Sequence, residues 1–333
     1  MDLFPNDRLP IIPEPILRTH KVLEATDTRF RASARLLQSL WRERAGLKVG
    51  THTQPHGRRR TLGNRLAALP AAAGGNFLSP EIRHLARREQ AYREPGAQID
   101  AARLWGNLLS SMPLAFNLFG HLKLHPDVAE RFVADLFPDL AGKVAQIQFE
   151  HSPAPGDPAF TADGTAFDAF ITIRRPDGTK AFLAIEVKYA ESMTEPPARH
   201  RPRYDDLSLT SNLFIDPDSA DLRANPLQQL WREHMLALTL LSNGLYDDGR
   251  FILLAPRLNS DVQRAASRYR QHLADPIVNP DAAGDTNTPA TVPFLNITLE
   301  DVAETLRQNP DAAPFAQRFI DRYLDFTPVH ALI

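Results

Sequence analysis

Two runs of the chain, Thr165–Arg174 and Thr179–Tyr189, meet at Arg175-Pro176-Asp177-Gly178. Proline presets the second position of a turn, and glycine accepts the left-handed backbone that follows. The two runs are therefore expected to fold back as an antiparallel hairpin. With Gly178 in the bulge position, Arg175 pairs with Thr179. Counted down the strands, Asp168 then pairs with Glu186. Side chains alternate across a strand, so Ala169, Ile171, Ile173, Leu183, Ile185 and Val187 share one face, which reads as core. Asp168, Glu186 and Lys188 share the other.

The surrounding pattern says what such a hairpin must pack against. From Lys143 the apolar period shifts from 3.6 to 2, and Ala145, Ile147 and Phe149 alternate with Gln146, Gln148 and Glu150. A helix opens at Pro226 and runs to about Leu241. A strand over Arg250–Ala255, a helix over Asp261–Leu273, a short strand over Val292–Ile297 and two closing helices complete the order. Upstream, Phe30–Arg44, Ile99–Met112 (ended by Pro113) and Pro126–Leu136 read as helices. The prolines in residues 1–20 argue for extended chain. Gly46–Gly63 reads as a polar, basic, mobile loop, and Ala190–Asn225 as a long polar segment. The expectation is an α/β (α+β) fold with a central mixed sheet flanked by helices. A basic, mainly helical region over 1–97 would precede a main domain over 98–333.

Two carboxylates directly opposite in a strand pair, roughly 4.5–5.5 Å apart at Cβ, repel each other. A hard divalent cation held by carboxylate oxygens neutralises them, and Mg²⁺ keeps waters that can be activated. Lys188 on the same face suits stabilising a phosphoryl group or orienting an attacking water. The plainer alternative is an exposed Asp beside a surface Glu–Lys pair. Against it, Glu186 and Lys188 interrupt the very apolar run Ala181-Phe182-Leu183-Ala184-Ile185-Glu186-Val187-Lys188-Tyr189.

The formal charge of −2 conceals an asymmetry. Residues 1–100 hold 17 Lys and Arg against 10 Asp and Glu, and the remainder holds 21 against 30. Arg58, Arg59 and Arg60 form a run, and Arg87 and Arg88 a pair. A basic region on a near-neutral chain is an electrostatic footprint for a polyanion, although a solvated helical surface carries such charges too.

Asp168, then 17 residues, then Glu186-Val187-Lys188, on a hairpin between helices, resembles the PD-(D/E)XK nuclease superfamily. Phe167 stands where the named motif has proline. The run Leu108–Gly120, with Phe149-Glu150-His151-Ser152-Pro153, is similar to a group of uncharacterised bacterial restriction-endonuclease-like proteins. The resemblance implies a restriction-endonuclease-like core and a metal-dependent nuclease, with DNA the expected nucleic-acid partner. Asp168, Glu186 and the Val187 carbonyl would bind Mg²⁺ (or Mn²⁺), and Lys188 would assist the water. The superfamily often adds an acid from the first helix or strand, for which Glu150 is the candidate, the alternative being a surface strand-end Glu. It also often presents a polar residue from the following helix. Gln228 could position a water or phosphate, and Arg232 could bind phosphate, one of the two being merely solvated in the plainer reading. The rival is a catalytically inactive module of the same fold that binds nucleic acid or a protein partner. Cutting both strands of a duplex would favour a homodimer.

Other classes are excluded. With no cysteine in 333 residues there is no disulfide scaffold, Cys-ligated zinc site or thiol catalysis. No glycine-rich phosphate loop occurs. No apolar run of about 18 residues occurs, so no membrane association is expected, and the beginning of the chain lacks a charged-then-apolar signal pattern. The expected location is the cytoplasm.

Overall fold

A computed structural model describes residues 8–53, 57–274 and 291–333. The centre is a five-stranded sheet in the order β3-β4-β5-β6-β7, formed by β3 (Lys143–His151), β4 (Phe167–Arg174), β5 (Lys180–Val187), β6 (Asp248–Ala255) and β7 (Phe294–Thr298). The first three strands are antiparallel and the last two join in parallel, which makes the sheet mixed, as expected.

The hairpin has the derived register. The Arg175 amide donates to the Thr179 carbonyl at 2.9 Å, and Arg174 pairs with Lys180 and Ala169 with Ile185. Gly178 sits at φ 89°, the left-handed conformation the turn requires. On β6, Gly249 lets the neighbouring strand come close, since a Cβ there would lie 2.3 Å from the Phe182 ring.

Helices cover both faces. Before the sheet come α1 (Glu14–Thr19), α2 (Arg29–Arg44), α3 (Ala68–Ala72), α4 (Pro80–Ala91), α5 (Ala101–Gly106), α6 (Ser111–Leu124) and α7 (Pro126–Leu136). After the hairpin come α8 (Pro202–Thr210), α9 (Gln228–Ser242), α10 (Ser260–Arg270), α11 (Leu299–Gln308), α12 (Ala313–Tyr323) and α13 (Thr327–His330). Ala169, Ile171, Ile173, Leu183, Ile185 and Val187 form one apolar cluster with Phe116 and Phe119 of α6, Phe132 of α7, Phe319 of α12 and Leu36 and Leu37 of α2. Arg322, fully buried on α12, ties this side to the early chain. It donates to the Asn76 carbonyl at 2.8 Å and lies over the Trp41 ring at 4.1 Å.

The opposite face is also core. Phe170, Phe182, Ala184 and Leu253 pack with Leu230, Trp231 and Met235 of α9 and Tyr269 of α10. Fully burying such a side chain contributes about 1.5–3 kcal/mol. Asp168 and Glu186 therefore lie at one end of a buried face, where β4 and β5 part, and not on an open polar surface.

Four local expectations are corrected. Glu14–Thr19 is helical although Pro15 lies within it, because a proline in a first turn removes only an amide that has no helical partner. The stretch Gly46–Gly63 contains an antiparallel ribbon, β1 (Val49–Thr53) and β2 (Arg59–Leu66); its residues 54–56 lie outside the described residues. Long-range bonds hold it, with Arg42 Nε donating to the Gly63 carbonyl at 2.8 Å and Arg60 meeting Glu24 at 2.7 Å. The helix read over Ile99–Met112 is two helices. The Asn107 side chain accepts the Leu109 amide at 3.2 Å and breaks the run, and Pro113 falls in the first turn of α6. The polar segment after β5 contains α8, whose Tyr204 and Leu207 join the second core.

Candidate active site

The pairing of β4 with β5 ends at Ala169 and Ile185, one residue before the acidic pair. There Asp168 Oδ2 accepts the Val187 amide at 2.8 Å, so a carboxylate takes the place of the next ladder bond. Glu150 on β3 stands level with Asp168, between the pairs Phe149–Ala169 and His151–Phe167. Its backbone is left-handed, φ 48°, a conformation that costs a non-glycine residue energy and that gathers at functional sites.

These residues open on a cleft of about 670 Å³. Glu150, Asp168, Glu186 and Lys188 line it, as do Glu191, Gln229 and Glu233. Lys188 Nζ lies 2.7 Å from Glu186 Oε1 and donates to Gln229 Oε1 at 2.8 Å. Gln229 Nε2 donates to Glu186 Oε1 at 2.7 Å and to Glu233 Oε1 at 2.8 Å. Glu191 accepts the amides of Tyr189 at 2.8 Å and Ser111 at 3.1 Å. It thus joins the end of β5 to the start of α6.

Burial and crowding divide the charges. Burial, then Glu186 and Glu150, raise the Asp168 carboxyl well above its ordinary value. Burial, with Glu186 next, pushes Glu150 up to about 8, against the opposing pull of Arg103 and Lys188. Burial, then Glu186, also raises Glu233, whose Oε2 has no hydrogen-bond partner among the described residues. Burial disfavours the Lys188 ammonium, but Glu186, Glu191, Asp168 and Glu233 overcome it and hold the lysine above its ordinary value. Burial opposes ionisation of Glu191, yet Lys188 and the two backbone amides leave it below the usual range.

Among the described residues, no three His, Asp or Glu side chains are already grouped to hold a metal ion. The donor set nonetheless fits a hard divalent cation. Carboxylate oxygens are its preferred ligands, and burial with mutual repulsion raises both Asp168 and Glu150, a crowding of acidic groups that a cation would relieve.

Arg103, Arg199, Arg201 and Arg232 line the cleft as well, with Asp163 and Glu195. Arg232 Nη1 bonds Thr165 Oγ1 and lies 3.3 Å from Asp163 Oδ2.

The remaining candidates divide. Gln228 is buried and does not line this cleft; its amide group donates to the Ala198 carbonyl at 3.0 Å and accepts the Ala198 amide at 3.2 Å. Its neighbour Gln229 holds the position facing Glu186. The sequence signal for it was present: Gln229 and Glu233 are one turn apart on α9, as Gln228 and Arg232 are, and only the rotation of the helix separates the two pairs. Arg58, Arg59, Arg60, Arg87 and Arg88 do not line the cleft. Arg60 is bound to Glu24, Arg87 donates to the Ala72 carbonyl at 2.7 Å, and Arg58, Arg59 and Arg88 are exposed. The cleft's own arginines come from α5, α9 and the segment before α8, and no run of basic residues marks them.

A family model described as the PD-(D/E)XK nuclease superfamily matches residues 25–325, nearly the whole chain. No curated protein and no solved structure matches the chain. No helix among the described residues is long and apolar enough to cross a membrane.

Proposed function

The chain belongs to the PD-(D/E)XK nuclease superfamily, and from that premise we propose that it is a metal-dependent nuclease hydrolysing phosphodiester bonds of DNA. The observation that carries this reading is the convergence of Asp168, Glu186 and Lys188 in a cleft that four arginines also line. Asp168, Glu186 and the Val187 carbonyl would hold Mg²⁺ or Mn²⁺. When bound, such a cation supplies positive charge that acidifies water and offsets charge on a phosphoryl group.

The chain's own groups do the rest. Lys188 stands beside Glu186, where its ammonium offsets charge developing on the phosphate and orients the attacking water. Gln229 fixes the pair, since it bonds both members. Glu150, once ionised, is placed level with Asp168 to accept a proton from that water. Arg232 and Arg103 offer guanidinium groups to the non-reacting phosphate oxygens.

The test is cleavage of plasmid and single-stranded DNA with Mg²⁺ or Mn²⁺ by the wild type, Glu186→Gln and Lys188→Ala. Activity in the wild type and its loss in both variants supports the assignment. Equal activity in all three removes it. DNA binding without cleavage in any of them points to the inactive module.

A further inference from the structure

A second concavity, of about 520 Å³, lies between the β1–β2 ribbon and helices α3 and α5. Arg59, Arg65 and Trp105 give it its chemical character. Arg65 buries its Nε with no hydrogen-bond partner among the described residues. Its neighbours make the vacancy more telling. Arg35, within electrostatic reach, is already engaged by Asp27 at 2.6 Å and Asn64 at 2.9 Å. Among the described residues Arg59 reaches a neutral group, Thr51 Oγ1, at 3.1 Å. A guanidinium has five donors and no acceptor. Asp100, also within electrostatic reach of Arg65, already accepts the Arg103 amide at 3.0 Å. Burying part of a guanidinium without acceptors beside Arg35 and Arg103 is costly unless a further anion completes the site.

Helix α5 is a shared wall. Its Arg103 lines the catalytic cleft, whereas Ala101, Ala102 and Trp105 line the second groove. Arg103 is in electrostatic reach of Glu150 on one side and Arg65 on the other. Arg103, Arg65 and Arg59 therefore lead from the cleft to the ribbon. A ligand with one charge would use one of them. A polymer with a charge at every repeat would use all three.

We propose that this groove holds the phosphodiester backbone of the same DNA strand whose scissile phosphate lies in the cleft, with Arg65 and Arg59 each meeting a phosphate beyond the cut. This rests on the nuclease reading above and extends it from the reacting phosphate to the strand's path. An acidic protein segment is the competing occupant, and the succession of arginines from Arg103 of the cleft to Arg65 and Arg59 of the groove favours the nucleic acid.

The experiment uses the full chain in EDTA, with labelled single-stranded DNA of about 5 and about 20 nucleotides, spanning one or both sites. The longer strand should bind the wild type at least about tenfold more tightly. Arg65→Gln and Arg59→Gln should each remove most of that gain and lower the log–log salt slope by about 0.7, the value for one phosphate of a single strand. Arg59 is exposed, so its variant carries the test if Arg65→Gln fails to fold. An unchanged length advantage and salt slope in Arg59→Gln would overturn the proposal while leaving cleavage by the wild type, and hence the nuclease reading, intact. Polyglutamate of equal charge binding as tightly as DNA, and released by Arg59→Gln, would also overturn it. A wild type that neither binds nor cuts DNA removes both.

Discussion

Lys188 holds Glu186 at 2.7 Å from the same face of one strand, and Gln229 is bonded to both. The amide group has one orientation that serves this pair, with its nitrogen toward the carboxylate and its oxygen toward the ammonium. Its loss frees both charged groups to reorient. Substitution of such a supporting group typically costs 10–100-fold in metal affinity or activity, so Gln229→Ala is expected to lower kcat by about that factor. Gln228→Ala should leave kcat within about twofold and act on KM instead, because its bonds run to the Ala198 backbone and to Arg232 Nε, at 3.2 Å, and not to the acidic pair. Steady-state cleavage by both variants decides it, and a larger loss in Gln228→Ala would reverse the assignment.

Lys188 is also a structural element. It is buried and lies among Glu186, Asp168, Glu191 and Glu233. Lys188→Met fills the volume but leaves Glu186 buried without its cation. Breaking a buried pair in this way costs about 3–5 kcal/mol. Urea midpoints in metal-free buffer should show the loss, and Mg²⁺ should restore part of it if the carboxylates bind the cation. A midpoint unchanged from the wild type would show that solvent already screens the pair.

The hairpin was legible because turn chemistry acts locally. Pro176 and Gly178 set the loop, the loop sets the register, and alternation then puts Asp168, Glu186 and Lys188 on one face. What escaped was set at long range. The β1–β2 ribbon is held by Arg42 and by Glu24, each far in sequence from the β2 residue it binds, so a basic, Gly-containing stretch looked like a loop. The apolar stripe of α9 located the helix to within two residues, but a single residue is about 100° of rotation, enough to exchange Gln229 for Gln228. The charge asymmetry pointed to the N-terminal basic run, while Arg103, Arg199, Arg201 and Arg232 reach the cleft from separated elements. Scattered arginines brought together by folding leave no local pattern to read.

Cation binding should release protons. Glu150 is pushed up to about 8 by burial and by Glu186, so at pH 7 it is mostly protonated in the metal-free protein. A divalent cation in the cleft favours the anion, and calorimetry in buffers of different ionisation enthalpy should find about one proton released per Mg²⁺ at pH 7. Glu150→Gln should reduce that number. The same shift acts on stability. The folded carboxyl holds its proton more tightly than the unfolded one, so its contribution is complete below about pH 4.5 and is lost as pH rises through about 8. Mg²⁺ binding with no buffer dependence of the heat would show that Glu150 is ionised already.

Acid should destabilise the fold through two buried histidines. His121 stacks on Phe315 with centroids 3.9 Å apart, and its Nε2 has no hydrogen-bond partner among the described residues. His234 lies in the second core between Tyr269 and the Val292 carbonyl. Burial lowers both from 6.5 to about 4, with His125 and Arg318 adding to the effect at His121. A depressed histidine gives stability that is present above its unfolded pKa and lost as pH falls through its folded one, here from 6.5 toward 4. Between pH 7 and pH 5 the expected loss is about 2 kcal/mol per histidine. His121→Phe keeps the stacked ring and removes the titration, so its urea midpoint should fall less than that of the wild type over the same interval. Parallel curves for the two proteins would mean that His121 takes up its proton without unfolding cost.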